Sequence, residues 1–243
     1  MLKLKNLPLV CSAEELNKIP DGKILINTIN AFSYNNAQHD EEFAHALKCC
    51  DYLIPDGISI VYACRFLNSQ YKPVERIAGW DLFLHEMEQL NAKGGKVMFV
   101  GSSDKVLSQI KERIARELPR LEAVTLSPPY KETFADEDNA ALIKAINEAA
   151  PDLLWIGLTA PKQEKWITRH WDQLNINCHC GTIGAVFDFY AGSKKRAPLF
   201  WQRHGIEWLH RLITEPRRLW RRYLFGNVIF LFHILAERLR GRT

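Results

Sequence analysis

The chain has 243 residues, 47% apolar and 25% charged. That composition suits one sizeable folded α/β core, with or without a small appendage, and excludes a disordered chain. The net charge of +4 is unevenly placed: from Lys194 onward twelve Lys and Arg face three Glu, while the body before it is net acidic. A basic tail on an acidic body suits an anionic partner: lipid head groups, nucleic acid or a phosphorylated substrate.

Short β-like runs alternate with helix-like ones. Residues 23–29 read as a strand, 38–50 as a helix, and 52–55 as a short apolar run ending at the turn Asp56-Gly57. Residues 58–67 and 80–91 read as helices. A strand over 97–100 ends in Gly101-Ser102-Ser103, and Asp104 is expected to cap a helix reaching about residue 118. Residues 121–126 form a strand, 136–149 a helix and 153–157 a buried strand. Pro161 is expected to open the next helix. A strand over 176–180 and a short helix over 184–190 close the series. Such alternation predicts a Rossmann-like, mainly parallel sheet flanked by helices over residues 1–195, with ligands beyond the carboxyl ends of its strands. Residues 196–243 form a helical, basic appendage, read as two helices over 201–213 and 216–240.

The appendage holds an apolar run over 223–235. Its 13 residues fall short of the roughly 20 needed to span a bilayer. Arg217, Arg218, Arg221 and Arg222 precede it, and Arg238, Arg240 and Arg242 follow. On a helix the first four lie across from Leu219, Trp220, Tyr223 and Leu224, which predicts a helix lying in the head-group region. Packing on the domain or on another copy of the chain, as in a homo-oligomer, is the alternative.

The six cysteines form no CxxC pair, and residues 1–10 carry no secretory pattern, so reduced thiols in a cytoplasmic protein are expected. In Cys178-His179-Cys180 the alternation of a strand sends His179 away from the two thiols, so no metal site is expected. Neither a dinucleotide fingerprint nor a P-loop occurs, which disfavours an oxidoreductase. Gly101-Ser102-Ser103 before a helix offers N–H groups to a phosphate. Asp56 offers a carboxylate to an attacking hydroxyl, or a turn residue. Lys162 and Gln163, opening a helix after a strand, offer contacts to sugar hydroxyls or phosphate, with Glu164 as a helix-capping residue. Asp136-Glu137-Asp138 begins a helix and is assigned to capping, with no metal requirement.

Several segments together resemble the WecG/TagA/CpsF glycosyltransferases. They are Thr28-Ile29-Asn30, Asp56-Gly57, Arg76 to Asp81, Pro161-Lys162-Gln163-Glu164, Gly192 to Pro198 with Arg196-Ala197-Pro198, Glu207-Trp208-Leu209 with Arg211, and Glu215-Pro216-Arg217-Arg218. Thr159-Ala160 departs from the Gly-x-Pro that the family often carries there. The resemblance implies an inverting transfer, without cofactor, from a UDP-sugar donor (N-acetylmannosamine, its uronic acid or glucose) to a polyprenyl-diphosphate-linked sugar acceptor. It implies Asp56 as general base and Thr28, Asn30 and Gln163 in the sugar pocket. Arg76 would meet the donor or its diphosphate, and Arg196 would contact substrate. Arg211, Arg218 and Arg221 would close over the site. The lipid-linked acceptor places the enzyme on the inner face of the cell membrane as a peripheral, cytoplasmic protein. The competing expectation is a non-catalytic nucleotide or nucleic-acid binder; basic residues interleaved with a long apolar run argue for lipid and against nucleic acid.

Overall fold

The computed structural model describes residues 2–240; Arg242 lies outside them. In chain order the elements are β1 (Ile24–Ile29), α1 (Ala31–Asn36), α2 (Glu41–Lys48), β2 (Tyr52–Pro55), α3 (Ile58–Leu67), α4 (Gly79–Lys93), β3 (Gly95–Gly101), α5 (Asp104–Glu117) and β4 (Leu121–Leu126). Then come α6 (Asp136–Ala149), β5 (Leu153–Gly157), α7 (Lys162–His170), β6 (His179–Thr182) and α8 (Gly184–Ala191). The appendage adds α9 (Leu199–Arg203), α10 (Glu207–Thr214), α11 (Pro216–Trp220), a π-helical turn (Arg221–Phe225) and α12 (Gly226–Arg240).

The six strands form one parallel sheet in the order β2-β1-β6-β5-β3-β4, the Rossmann-like architecture expected. Strand alternation divides the core. Val97, Phe99, Leu153 and Trp155 pack against α4, α5 and α8 on one face. Met98, Val100, Leu154 and Ile156 pack against α6 and α7 on the other. Gly181 on β6 makes room for Trp155, whose ring would stand 2.1 Å from an added Cβ.

Four boundaries differ from expectation. The helix expected over 38–50 is the shorter α2, capped by Asp40, and a further helix, α1, precedes it outside the expected range, capped by Asn30, which accepts from the N–H groups of Phe32 and Ser33. The strand expected over 176–180 pairs only from His179, which lies opposite Ile24 and Leu153. Ser103, not Asp104, caps α5. Pro161 stands one residue before α7 as its cap rather than inside it. The alternation at 178–180 holds: Cys178 and Cys180 are buried, while His179 turns away to Glu86.

The appendage is docked on the body. Phe230 and Ile234 of α12 are buried among α1, α3 and the N-terminal segment. Glu237 accepts from the N–H groups of Leu4 and Lys5 and from the Tyr34 hydroxyl at 2.7–3.1 Å. Asn35 donates to the Gly226 carbonyl at 2.7 Å. The helix expected over 201–213 is broken at Gly205, whose φ of +68° suits glycine and where an added Cβ would stand 3.2 Å from the Ile58 side chain. Among the described residues no helix is long and apolar enough to cross a membrane. The outer flank of α12 is nevertheless apolar and exposed, with Val228, Leu231, Phe232, Leu235 and Leu239 in solvent.

Candidate active site

A cavity of about 880 Å³ lies over the carboxyl ends of β1, β2 and β6 and the loop after β5, roofed by the appendage. This is the sheet edge where open parallel sheets bind ligands. Thr28 and Asn30 reach it from β1, Asp56 from β2, Gln163 and Glu164 from the start of α7, and Thr182 and Gly184 from the end of β6. Arg196, Arg211, Arg218 and Arg222 join from the C-terminal part of the chain.

Asp56 is half-buried at the N-terminus of α4, where it accepts from the Gly79 N–H at 3.1 Å. Burial pushes its carboxyl above its ordinary value; Arg76, the Gly79 N–H and Asn30 pull it back, and the nearby Glu207 adds to the rise. Such a carboxylate is a better proton acceptor than that of a free aspartate. Asn30 spends its oxygen capping α1, so the β1 end is rigid where it meets Asp56.

Glu207, the first residue of α10, joins body and appendage. Its carboxylate lies 3.1 Å from Arg76 and 3.3 Å from Arg196, and all three side chains are largely buried. Arg196 also lies over the Trp80 ring. Arg218 pairs with Glu215 at 2.6 Å, and Arg211 lies over the Phe189 ring. Arg222 differs from these. Its guanidinium lies 4.1 Å from the Phe32 ring centroid, its Nε is buried without a hydrogen-bond partner, and burial lowers its pKa. A buried cation beside a cavity and lacking a hydrogen bond suits an anionic ligand.

The cavity thus gathers Thr28, Asn30, Asp56, Arg76, Gln163, Arg196, Arg211 and Arg218 of the residues singled out by sequence. Gly101, Lys162 and Arg221 stand outside it. Gly101 lets β3 and β5 close up, since a Cβ there would meet the Gly157 carbonyl at 2.4 Å. Lys162 donates to the Lys131 carbonyl and lies over Phe134. Arg221 is exposed and stacks on Trp220. The π turn advances the chain by an extra residue and turns Arg222, not Arg221, inward. The four arginines at 217–222 therefore do not share one outer side.

Sequence reasoning missed Arg222, Glu207 and Glu164 as site residues. Regular helical geometry hides Arg222. Glu164 was legible: Gln163 and Glu164 stand three residues before Trp166 and Ile167, which places all four on the buried face of α7. Glu164 is buried and does not cap α7 through its side chain. Thr159, at the point where the resemblance places glycine, sits at φ +71°, strained for a β-branched residue. Asp138 caps α6 by accepting from the Ala135 N–H and pairs with Lys131, so the DxD segment is occupied at a helix start. Among the described residues no three His, Cys, Asp or Glu side chains gather as for a metal ion.

The cavity sets the half-buried Asp56 carboxyl among Arg76, Arg196, Arg211, Arg218 and Arg222, groups able to take up a proton and to offset anionic charge. Residues 4–243 match the glycosyl transferase WecG/TagA/CpsF family, and the chain belongs to that family. It is similar to an N-acetylglucosaminyldiphosphoundecaprenol N-acetyl-beta-D-mannosaminyltransferase of Bacillus spizizenii, with 32% identity over 77% of this chain and 70% of the relative. The enzyme of the same name from Bacillus subtilis is 30% identical over 82% of this chain and 75% of its own. The protein is therefore a glycosyltransferase, and the expectation of a non-catalytic binder gives way.

Proposed function

We propose that the enzyme transfers an N-acetylmannosamine-like sugar from a UDP-sugar to N-acetylglucosamine carried on a polyprenyl diphosphate, with inversion and without a metal ion. The names of the two Bacillus relatives support the acceptor and the sugar. The observation that carries the reading is Asp56 facing Arg222 and its neighbouring arginines across one cavity.

In the reaction the acceptor hydroxyl gives its proton to Asp56 as its oxygen bonds to the sugar's anomeric carbon. The bond from that carbon to the β-phosphate breaks on the opposite face, and UDP leaves with the electron pair. Negative charge grows on the diphosphate, and Arg222, Arg211 and Arg218 would offset it. Arg76 and Arg196, already paired to Glu207, would hold α10 in place and share the charge.

The exposed apolar flank of α12, flanked by arginines, would rest on the inner face of the membrane, where the lipid-linked acceptor waits. Leu231 and Leu235 of that flank also line the cavity, so docking would bring the site's mouth to the lipid. A panel of UDP-sugars with a short-chain prenyl-diphosphate N-acetylglucosamine acceptor tests the reading. Turnover with UDP-N-acetylmannosamine that persists in a chelator is expected. Absence of turnover with every donor would overturn the substrates, and loss to chelator restored by magnesium would overturn the metal-free chemistry.

A further inference from the structure

Two buried polar pairs sit close to the sheet, and they differ in completeness. Asn27 and Thr182 satisfy each other: the Thr182 hydroxyl donates to Asn27 Oδ1 at 2.8 Å, and Asn27 Nδ2 donates to the Ala46 carbonyl at 3.1 Å. Gln163 and Glu164 are 4% and 1% exposed. Gln163 Nε2 donates to Glu164 Oε1 at 2.9 Å, which leaves Gln163 Oε1 and Glu164 Oε2 buried without partners. Among the described residues eight side-chain atoms are buried in this way, and three belong to residues lining the cavity: these two and Arg222 Nε. Buried polar atoms left open cost stability unless a ligand completes them.

The chemistry of the two open atoms is complementary. Gln163 Oε1 can only accept. Burial pushes the Glu164 carboxyl up to about 7, partly offset by Gln163 and by its own N–H. Neighbouring charges are engaged elsewhere: Lys162 on the Lys131 carbonyl, Lys165 on Asp40 and Glu42, and Asp188 on Lys194. When protonated, this carboxyl offers a donor on its free oxygen. Gly184 keeps the corner open, because a Cβ there would stand 3.1 Å from Gln163 Oε1.

We propose that Gln163 and Glu164 form a subsite for the acetamido group of a bound sugar, Gln163 Oε1 accepting from its N–H and Glu164 Oε2 donating to its carbonyl. This rests on the reading of the cavity as a sugar site. An acceptor and a donor can pair with the N–H and the carbonyl of an amide as two separate bonds, whereas a hydroxyl would have to serve both atoms from one oxygen. The group can come from the donor sugar or from the acceptor sugar.

Calorimetric binding tests it without requiring turnover. One arm compares UDP-N-acetylmannosamine with UDP-mannose. The other compares farnesyl-diphosphate-linked N-acetylglucosamine with its glucose counterpart. Glu164→Leu should weaken the acetamido member of one pair about 10- to 100-fold and leave its hydroxyl member nearly unchanged, since one hydrogen bond to a buried group is lost. The affected arm identifies the source. Glu164→Gln, which keeps a neutral donor, should restore most of the affinity. Gly184→Ala, which crowds Gln163 from the other side, should lose the acetamido member selectively and guards against a leucine variant that fails to fold. Equal weakening of both members of each pair, or no weakening at all, overturns the subsite. Absence of turnover with every UDP-sugar would sink the proposed substrates but leave this binding result to stand or fall by itself.

Discussion

Two strand ends of the same sheet look alike in sequence and do different work. β2 ends in Asp56-Gly57 and β3 in Gly101-Ser102-Ser103, each a glycine-bearing loop leading into a helix. By residue type the β3 loop is the better phosphate cradle. Yet Gly101 is spent on strand contact and Ser103 on capping α5. The β2 loop lies under the appendage, where Glu207 and the arginines arrive. What covers a strand end, more than the residues in it, decides whether it is a site.

The largest effect should come from the β2 end. Asp56→Asn should lower turnover about 1,000-fold with donor affinity largely kept, the scale of a lost general base. Because burial raises the Asp56 pKa, wild-type turnover should climb with pH through that raised value as the carboxylate forms. A pH–rate profile unchanged in the variant would break the comparison. Next, Arg222→Ala should cost about 100-fold in kcat/KM, as for other removed charge-stabilising donors, and Arg221→Ala only a few-fold. Equal losses would mean that the π turn does not choose between the two.

Glu164 gives an effect on stability. Its carboxyl holds its proton to about pH 7 in the fold, against an ordinary 4.5. The stability it contributes is fully present below pH 4.5 and is lost as pH rises through 7. Glu164→Gln should therefore match the wild type near pH 4 and exceed it at pH 8 by up to about 3 kcal/mol in denaturant unfolding. No gain at pH 8 would mean that the carboxyl is not held neutral. On the appendage, Phe232→Ser should weaken liposome binding about tenfold, by the apolar surface withdrawn from lipid, while activity on a water-soluble acceptor stays. The smallest effect belongs to the β3 end. Ser103→Ala should cost about 1 kcal/mol of stability, as a lost helix cap, and leave kcat/KM unchanged. A fall in donor affinity there would give the β3 loop a role in binding.

Much of this was legible from residue order. Alternating runs predicted the parallel sheet, and Thr28, Asn30, Asp56 and Gln163 at strand ends converge as topology requires. Glu207 was visible only as part of a motif, because its partners Arg76 and Arg196 come from other elements and no local pattern links them. For Glu164 two local signals competed: a glutamate in a first turn ordinarily serves the helix end, while its spacing to Ile167 puts it on the buried face. Here the apolar face of α7 carries it inward.

Local signals are set by neighbours along the chain, so the sequence by itself determined the strand–helix alternation, the apolar and basic character of the last helices and the membership in a transferase family. Contacts between distant segments have no such signal. Tertiary structure alone decided that the appendage roofs β2 rather than β3, and that a π turn aims Arg222 inward. It likewise decided that burial leaves Gln163 and Glu164 each with one open hydrogen-bonding atom.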